Sequence, residues 1–274
     1  MATLLTFVNW LLPLAYLAVA ADYAATFILR TRTHVRNPAL AGVIVLHAAF
    51  LTAWGLHAGV LPLGEIHEIL SLIALSSAIL YAVIEFTSRD RRAGVFILLL
   101  VFLIQYTASV QLAGPIARGR AAAIDESGGL HVIPAIFAYT AIAFAAVCSV
   151  LYLAGQRALK RHSFGVLFDR LPPLDLLGTM SWHALLTGFL LTTITMITGA
   201  LLFRHMGGHA RGGAFDVKVT AKIVTGSIAW AACLTAILGK TLFHWPLRRV
   251  CQFIVGTFVV ILALFAASWI LTAA

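Results

Sequence analysis

Charge is scarce in this chain. Only 11% of its 274 residues are charged, and its ten acidic residues face nineteen basic ones, while 61% of the chain is hydrophobic. With a mean hydropathy of +0.98 there is too little polar surface to surround an ordinary core, since a soluble domain carries about 25% charged residues. Cysteine is scarcer still, with three residues. Cys148, Cys233 and Cys251 each sit inside an apolar run and form no C-x-x-C pair. That excludes a thiol relay or a c-type haem attachment and leaves them as small buried hydrophobes. No H-E-x-x-H, no phosphate loop and no nucleophile paired with a base is present either, so nothing in the motifs points to an enzyme.

What is abundant is apolar length. Eight runs, at 4–29, 39–61, 66–86, 93–113, 130–154, 176–203, 217–243 and 247–271, are each long enough to cross about 30 Å of hydrocarbon at about 1.5 Å per residue. They are far too long for barrel strands, and helices alone satisfy their own backbone in lipid. The expected fold is all-α, a polytopic membrane helical bundle of about eight transmembrane helices, read as one domain over 1–274. The first run is longer than a signal h-region, lacks a preceding Lys or Arg and contains Asp22, so it is read as a retained span.

The basic residues are divided unevenly between alternate loops. Thirteen fall on one side, around Arg30–Arg36, Arg89–Arg92, Arg157–Arg170 and Lys240–Arg249, and six on the other, from Arg118 to Lys222. The richer side is expected to be cytoplasmic, which puts both termini outside a bacterial inner (cytoplasmic) membrane. The net charge of +9 is then accounted for by the lipid of the inner leaflet, and no nucleic acid partner is implied.

Histidine is the informative excess, with ten in so apolar a chain, because ionisable groups inside a membrane are costly and tend to serve function. His47 in VLHAAFLTAW and His183 in MSWHALLTG each lie seven or eight residues into an outward-running span, about 12 Å from its start. Two imidazoles at one depth could both ligate a haem iron, share a proton, or hydrogen-bond neighbouring hydroxyls such as Thr187. Asp22 could orient either ring. The external half holds His57, His67, His131, His205 and His209. His131 opens the fifth run just after a glycine pair, where a backbone can be approached closely. Glu65 and Glu68 flank the start of the third run and suit the positive end of a helix.

The segment LHVIPAIFAYTAIAFAAVCSVLYL, the stretch FDRLPPLDLLGTMSWHALLTGFLLTTITMITGALLF, the outer loop ending in FDVK and the last span after HWPLRRV together resemble the cytochrome c assembly protein family, the CcsA and CcmC superfamily. Their order is most similar to its small eight-span branch of HemX-like and YpjD-like proteins. The resemblance implies a membrane haem-handling bundle. His131 matches the histidine that flanks the family's tryptophan-rich platform, and FDVK, with Asp216, looks like the remnant of the platform's end. His47 and His183 match histidines expected within the spans. The loop itself holds no tryptophan between Leu202 and Asp216.

The expected function is therefore an integral inner-membrane haem-binding accessory in haem trafficking, haem-linked regulation or cytochrome c biogenesis. The suspected cofactor is haem b, with iron held through His131 or through His47 and His183, and His57, His67 and Asp216 nearby. Other membrane proteins of haem or cytochrome biogenesis are the expected partners. Two other readings stay open: a transport accessory whose Asp22, His47, His183 and Glu85 line a path for protons or metal cations, and a b-type electron carrier with paired ligands at both depths.

Overall fold

The computed structural model describes residues 2–29, 38–59, 61–63, 65–88, 91, 94–112, 126–162, 172–207 and 217–273. They form eight helices: α1 (Ala2–Leu29), α2 (Pro38–Ala58), α3 (Ile66–Ser88), α4 (Gly94–Leu112), α5 (Glu126–Lys160), α6 (Leu174–Gly207), α7 (Val217–Thr241) and α8 (Leu247–Ala273). All eight are long and apolar enough to cross a membrane, and no strand occurs among the described residues. This is a multi-pass membrane protein.

Two helices outrun their apolar cores. α5 begins at Glu126 and continues to Lys160, so the glycine pair Gly128–Gly129 and His131 lie within its first two turns instead of ahead of it. α6 continues through Arg204 to Gly207, so the segment beginning at Arg204, expected as loop, is helical over its first four residues. Hydropathy marks where lipid contact stops. A helix goes on for as long as propensity allows, and here Leu201, Leu202 and Met206 carry it on until a second glycine follows Gly207.

The chain divides into two compact units. The first comprises 1–129 with 169–172, and the second 130–168 with 173–274. In the first, α1 packs on α2 and α4, and α3 on α2 and α4. Its apolar centre is built from Leu5 and Leu12 of α1, Phe50, Leu51 and Trp54 of α2, Leu75 of α3 and Leu112 of α4. The outward faces are just as apolar, with Phe7, Val45 and Leu56 at 65%, 67% and 77% exposure, as expected where hydrocarbon replaces water.

In the second unit α6 packs on α7 and α8, and α7 on α8. Small residues set the approach of α5 to α6. A Cβ at Gly188 would stand 2.9 Å from Ile142 and 3.5 Å from the Ala138 carbonyl, the close contact that lipid-embedded helices need when no hydrophobic force drives them together. Ser149 and Ser181 bond across the same seam at 2.7 Å. Cys148, Cys233 and Cys251 are free and buried in this unit, as their surroundings in the sequence led one to expect.

Candidate functional site

In the second unit His131 sits six residues into α5 and is half-buried. Its Nδ1 lies 3.1 Å from the carbonyl oxygen of Thr195 on α6. A carbonyl only accepts, so Nδ1 carries the proton and a neutral ring keeps its lone pair on Nε2. No hydrogen bond to Nε2 is present among the described residues. This is the arrangement in which metal-binding histidines are held: one nitrogen is fixed by a backbone acceptor and the other is left as a ligand.

One turn along α6, Gly199 makes room for the ring. A Cβ there would come within 2.8 Å of His131 Cε1 and 3.0 Å of Nδ1. Gly129 of the pair beside His131 is closely approached as expected, by Leu61 at 2.5 Å from the Cβ it lacks, but the room for the ring comes from a glycine 68 positions away, which no local pattern could reveal.

In the first unit His47 is fully buried, and both its ring nitrogens are engaged. Tyr16 Oη lies 3.0 Å from Nδ1 and Ser71 Oγ 2.9 Å from Nε2. Ser71 in turn donates to Gln105 Oε1 at 3.0 Å, and Gln105 Nε2 donates to Ser109 Oγ at 3.1 Å. Asn9 reaches the Ser109 carbonyl at 2.9 Å.

The single proton of Ser71 is spent on Gln105, so the proton between His47 and Ser71 must come from Nε2. Nδ1 therefore accepts from the tyrosine. A neutral imidazole with each nitrogen satisfied joins α1, α2 and α3, and Ser71 extends the chain to Gln105 of α4. Iron could reach either nitrogen only by breaking one of these bonds. The α1 partner of the ring is Tyr16, while Asp22 lies six residues further along on an exposed face.

The end of this unit that carries the α2–α3 turn holds a second polar group. Glu68 is buried. It accepts from Trp54 Nε1 at 3.3 Å and, through Oε2, from the backbone N–H of Glu65 at 3.2 Å. The latter is the reciprocal bond of a capping box at the start of α3. Buried His67 pairs with Glu65 at 3.2 Å, and His57, at the last turn of α2, is half-buried. At the opposite end, Glu85 accepts from Tyr23 and from Arg91 Nε at 3.1 Å, while the Arg91 guanidinium lies 4.9 Å over the Tyr23 ring. Sequence reading passed over Tyr16, Gln105 and Tyr23, because a Tyr or Gln in an apolar run carries no signal of its partner.

The remaining candidates are dispersed. His183, on α6 in the second unit, is exposed, and Thr187 donates to its backbone carbonyl at 3.0 Å, not to its ring. Two residues further on from Thr187, Phe189 stacks with Trp230 at 5.8 Å, an aromatic pair that lies within the helices and not in the loop. Asp216 and His209 lie outside the described residues.

Among the described residues no three His, Cys, Asp or Glu side chains come together as a metal site. A bare divalent cation needs at least four donors. A haem iron already has four from its ring and asks the protein for only one or two. A solitary, oriented histidine such as His131 fits the second demand and not the first.

No curated protein and no solved structure matches the chain. The family model described as cytochrome C assembly protein does, over residues 63–273, which takes in α3 to α8 and both of the candidate regions around His67 and His131. That family is associated with membrane haem handling in cytochrome c biogenesis. By this match over most of its length, the chain belongs to the cytochrome c assembly protein family.

Proposed function

We propose that this protein is a haem-binding accessory of the bacterial inner membrane, serving haem trafficking, haem-linked regulation or cytochrome c biogenesis without catalysing a reaction of its own. In this reading it belongs to the small eight-span, HemX-like branch of the family, with both termini outside and with other membrane proteins of haem or cytochrome biogenesis as partners. The observation that carries the reading is His131, whose Nδ1 is tied to the Thr195 carbonyl at 3.1 Å while its ring rests on Gly199. His131 would hold haem b iron through Nε2. When bound, the haem supplies a redox-active iron and a large apolar face. The chain's own part is to present one neutral, tautomer-fixed imidazole and to spare it the rotamer search that a loose side chain would need.

His47 has a different role in this reading. With Tyr16 and Ser71 on its two nitrogens, it fastens three helices together and reaches the fourth through Ser71 and Gln105. The test is haem titration of the purified protein, with absorption spectra taken oxidised and reduced. One haem or less per chain is expected, with the band abolished by His131→Ala and unchanged in position by His47→Ala at equal folded protein. A band that survives His131→Ala but disappears in His47→Ala or His183→Ala would move the iron into the spans and overturn the reading. Two haems per chain would favour an electron carrier instead. Replacing His57, His67 and His209 singly by Ala in the same titration identifies any second ligand by a change of spin state.

A further inference from the structure

Between α7 and α8 the second unit carries a groove of about 740 Å³. On its floor α8 presents Arg249, Gln252, Gly256 and Val260, and α7 contributes Ile228 and Ala232. The α8 residues recur at three- and four-residue spacing and so form one stripe along the helix. Gly256 lies at its middle and has nothing within 4 Å of the Cβ it lacks, so the stripe is hollowed there by the absence of a side chain.

The groove is closed at the α7–α8 turn by Trp245, whose indole folds back onto Gly239; a Cβ on that glycine would meet the ring at 2.5 Å. The Arg249 guanidinium stands 5.7 Å over the same indole and is exposed. One end of the groove therefore carries a cation on an aromatic shelf, and the rest of it is largely apolar.

Length and charge together indicate what fits. From Arg249 to Val260 the helix rises about 16 Å, close to the ~15 Å depth of one leaflet's hydrocarbon. A single acyl chain would run the length of the groove with its headgroup at Arg249. From Val217 to Ala274 the sequence contains no Asp or Glu, and Arg248 and Arg249 stand side by side at the start of α8. A guanidinium at the membrane surface suits a phosphate oxygen in a two-pronged contact. No histidine lines the groove, so a porphyrin would find no imidazole ligand for its iron there. We propose that the α7–α8 groove is a binding site for one anionic phospholipid, with its phosphate on Arg249 and an acyl chain laid over Gly256.

The experiment is native mass spectrometry of the full chain in detergent, supplied with phosphatidylglycerol or with phosphatidylcholine of the same acyl composition. One phosphatidylglycerol should be retained about fivefold more than phosphatidylcholine, the preference that one basic side chain confers at a membrane surface. Arg249→Gln should lower phosphatidylglycerol to the phosphatidylcholine level. Gly256→Leu, which places a side chain into open space, should lower both lipids, whereas Gly42→Leu, at another helical glycine with nothing within 4 Å, should lower neither.

Equal retention of the two lipids by the wild type overturns the proposal, as does full retention in Gly256→Leu. Two further results overturn it by naming another occupant. Loss of a dimer in Gly256→Leu would assign the groove to a second copy of the chain, and loss of a haem band in that variant would assign it to a porphyrin. If Gly256→Leu does not fold, the exposed Arg249→Gln decides alone, and unchanged selectivity there refutes the site.

Discussion

Tyr16→Phe is the sharpest probe of the buried chain around His47. The substitution removes one oxygen and leaves the ring, which meets the imidazole edge to face with centroids 5.7 Å apart. The hydroxyl lost is the one 3.0 Å from Nδ1, in a side chain that is fully buried. A buried hydrogen bond contributes about 0.5–1.5 kcal/mol net, and an acceptor left without a donor costs about 1–3 kcal/mol. Between lipid-embedded helices measured values run lower, near 0.6 kcal/mol, because the unfolded chain also finds partners. Together these give a cost of about 1–2 kcal/mol, or roughly five- to thirtyfold in the folding equilibrium.

Unfolding by titration with a denaturing detergent in mixed micelles would read that cost. The same substitution in a His47→Ala background should cost close to nothing, because the hydroxyl has then lost its acceptor, and the difference between the two backgrounds isolates the pair. The haem band should not respond. An equal cost in both backgrounds would refute the assigned bond. A haem band that shifts when Nδ1 is released would refute the structural role of His47 altogether.

Gly199→Ala places a methyl 2.8 Å from His131 Cε1, so it should weaken haem binding at least tenfold with little loss of fold, read in the same haem titration; unchanged affinity would remove Gly199 from the site. Glu85→Gln removes the negative charge facing Arg91, whose side chain is 13% exposed, and should destabilise the first unit by about 1–3 kcal/mol, below the ~3–5 kcal/mol of a deeply buried pair because neither side chain is fully buried. An unfolding midpoint equal to wild type would show the pair to be incidental. A cysteine placed at Gly208 should be labelled from outside intact cells and one at Ser163 should not. The three native thiols, all buried, add little background, and the reverse pattern would invert the topology.

The number of helices and their approximate places were legible in the sequence because hydrocarbon imposes a length and forbids charge, so the eight apolar runs could hardly be anything else. The family was legible as well, since the order of LHVIP, SWHALLTG and FDVK along the chain survives without any knowledge of contacts. Helix ends were less so. Gly128 and Gly129 stand ahead of the fifth apolar run, yet α5 begins before them and runs straight through, because a glycine costs a helix only about 1 kcal/mol. What surrounds each histidine was not legible. His47 and His183 look alike in sequence, each seven or eight residues into an apolar span, but one is wedged between Tyr16 and Ser71 and the other is exposed.

That difference is tertiary because a ring nitrogen's chemistry is set by whatever lies 3 Å away, and those partners stand 31, 24 and 64 positions distant for Tyr16, Ser71 and Thr195. The sequence determined that this chain lives in lipid, crosses it eight times and carries the marks of its family. Packing alone decided which imidazole has both nitrogens closed off by its neighbours and which has only one engaged among the described residues.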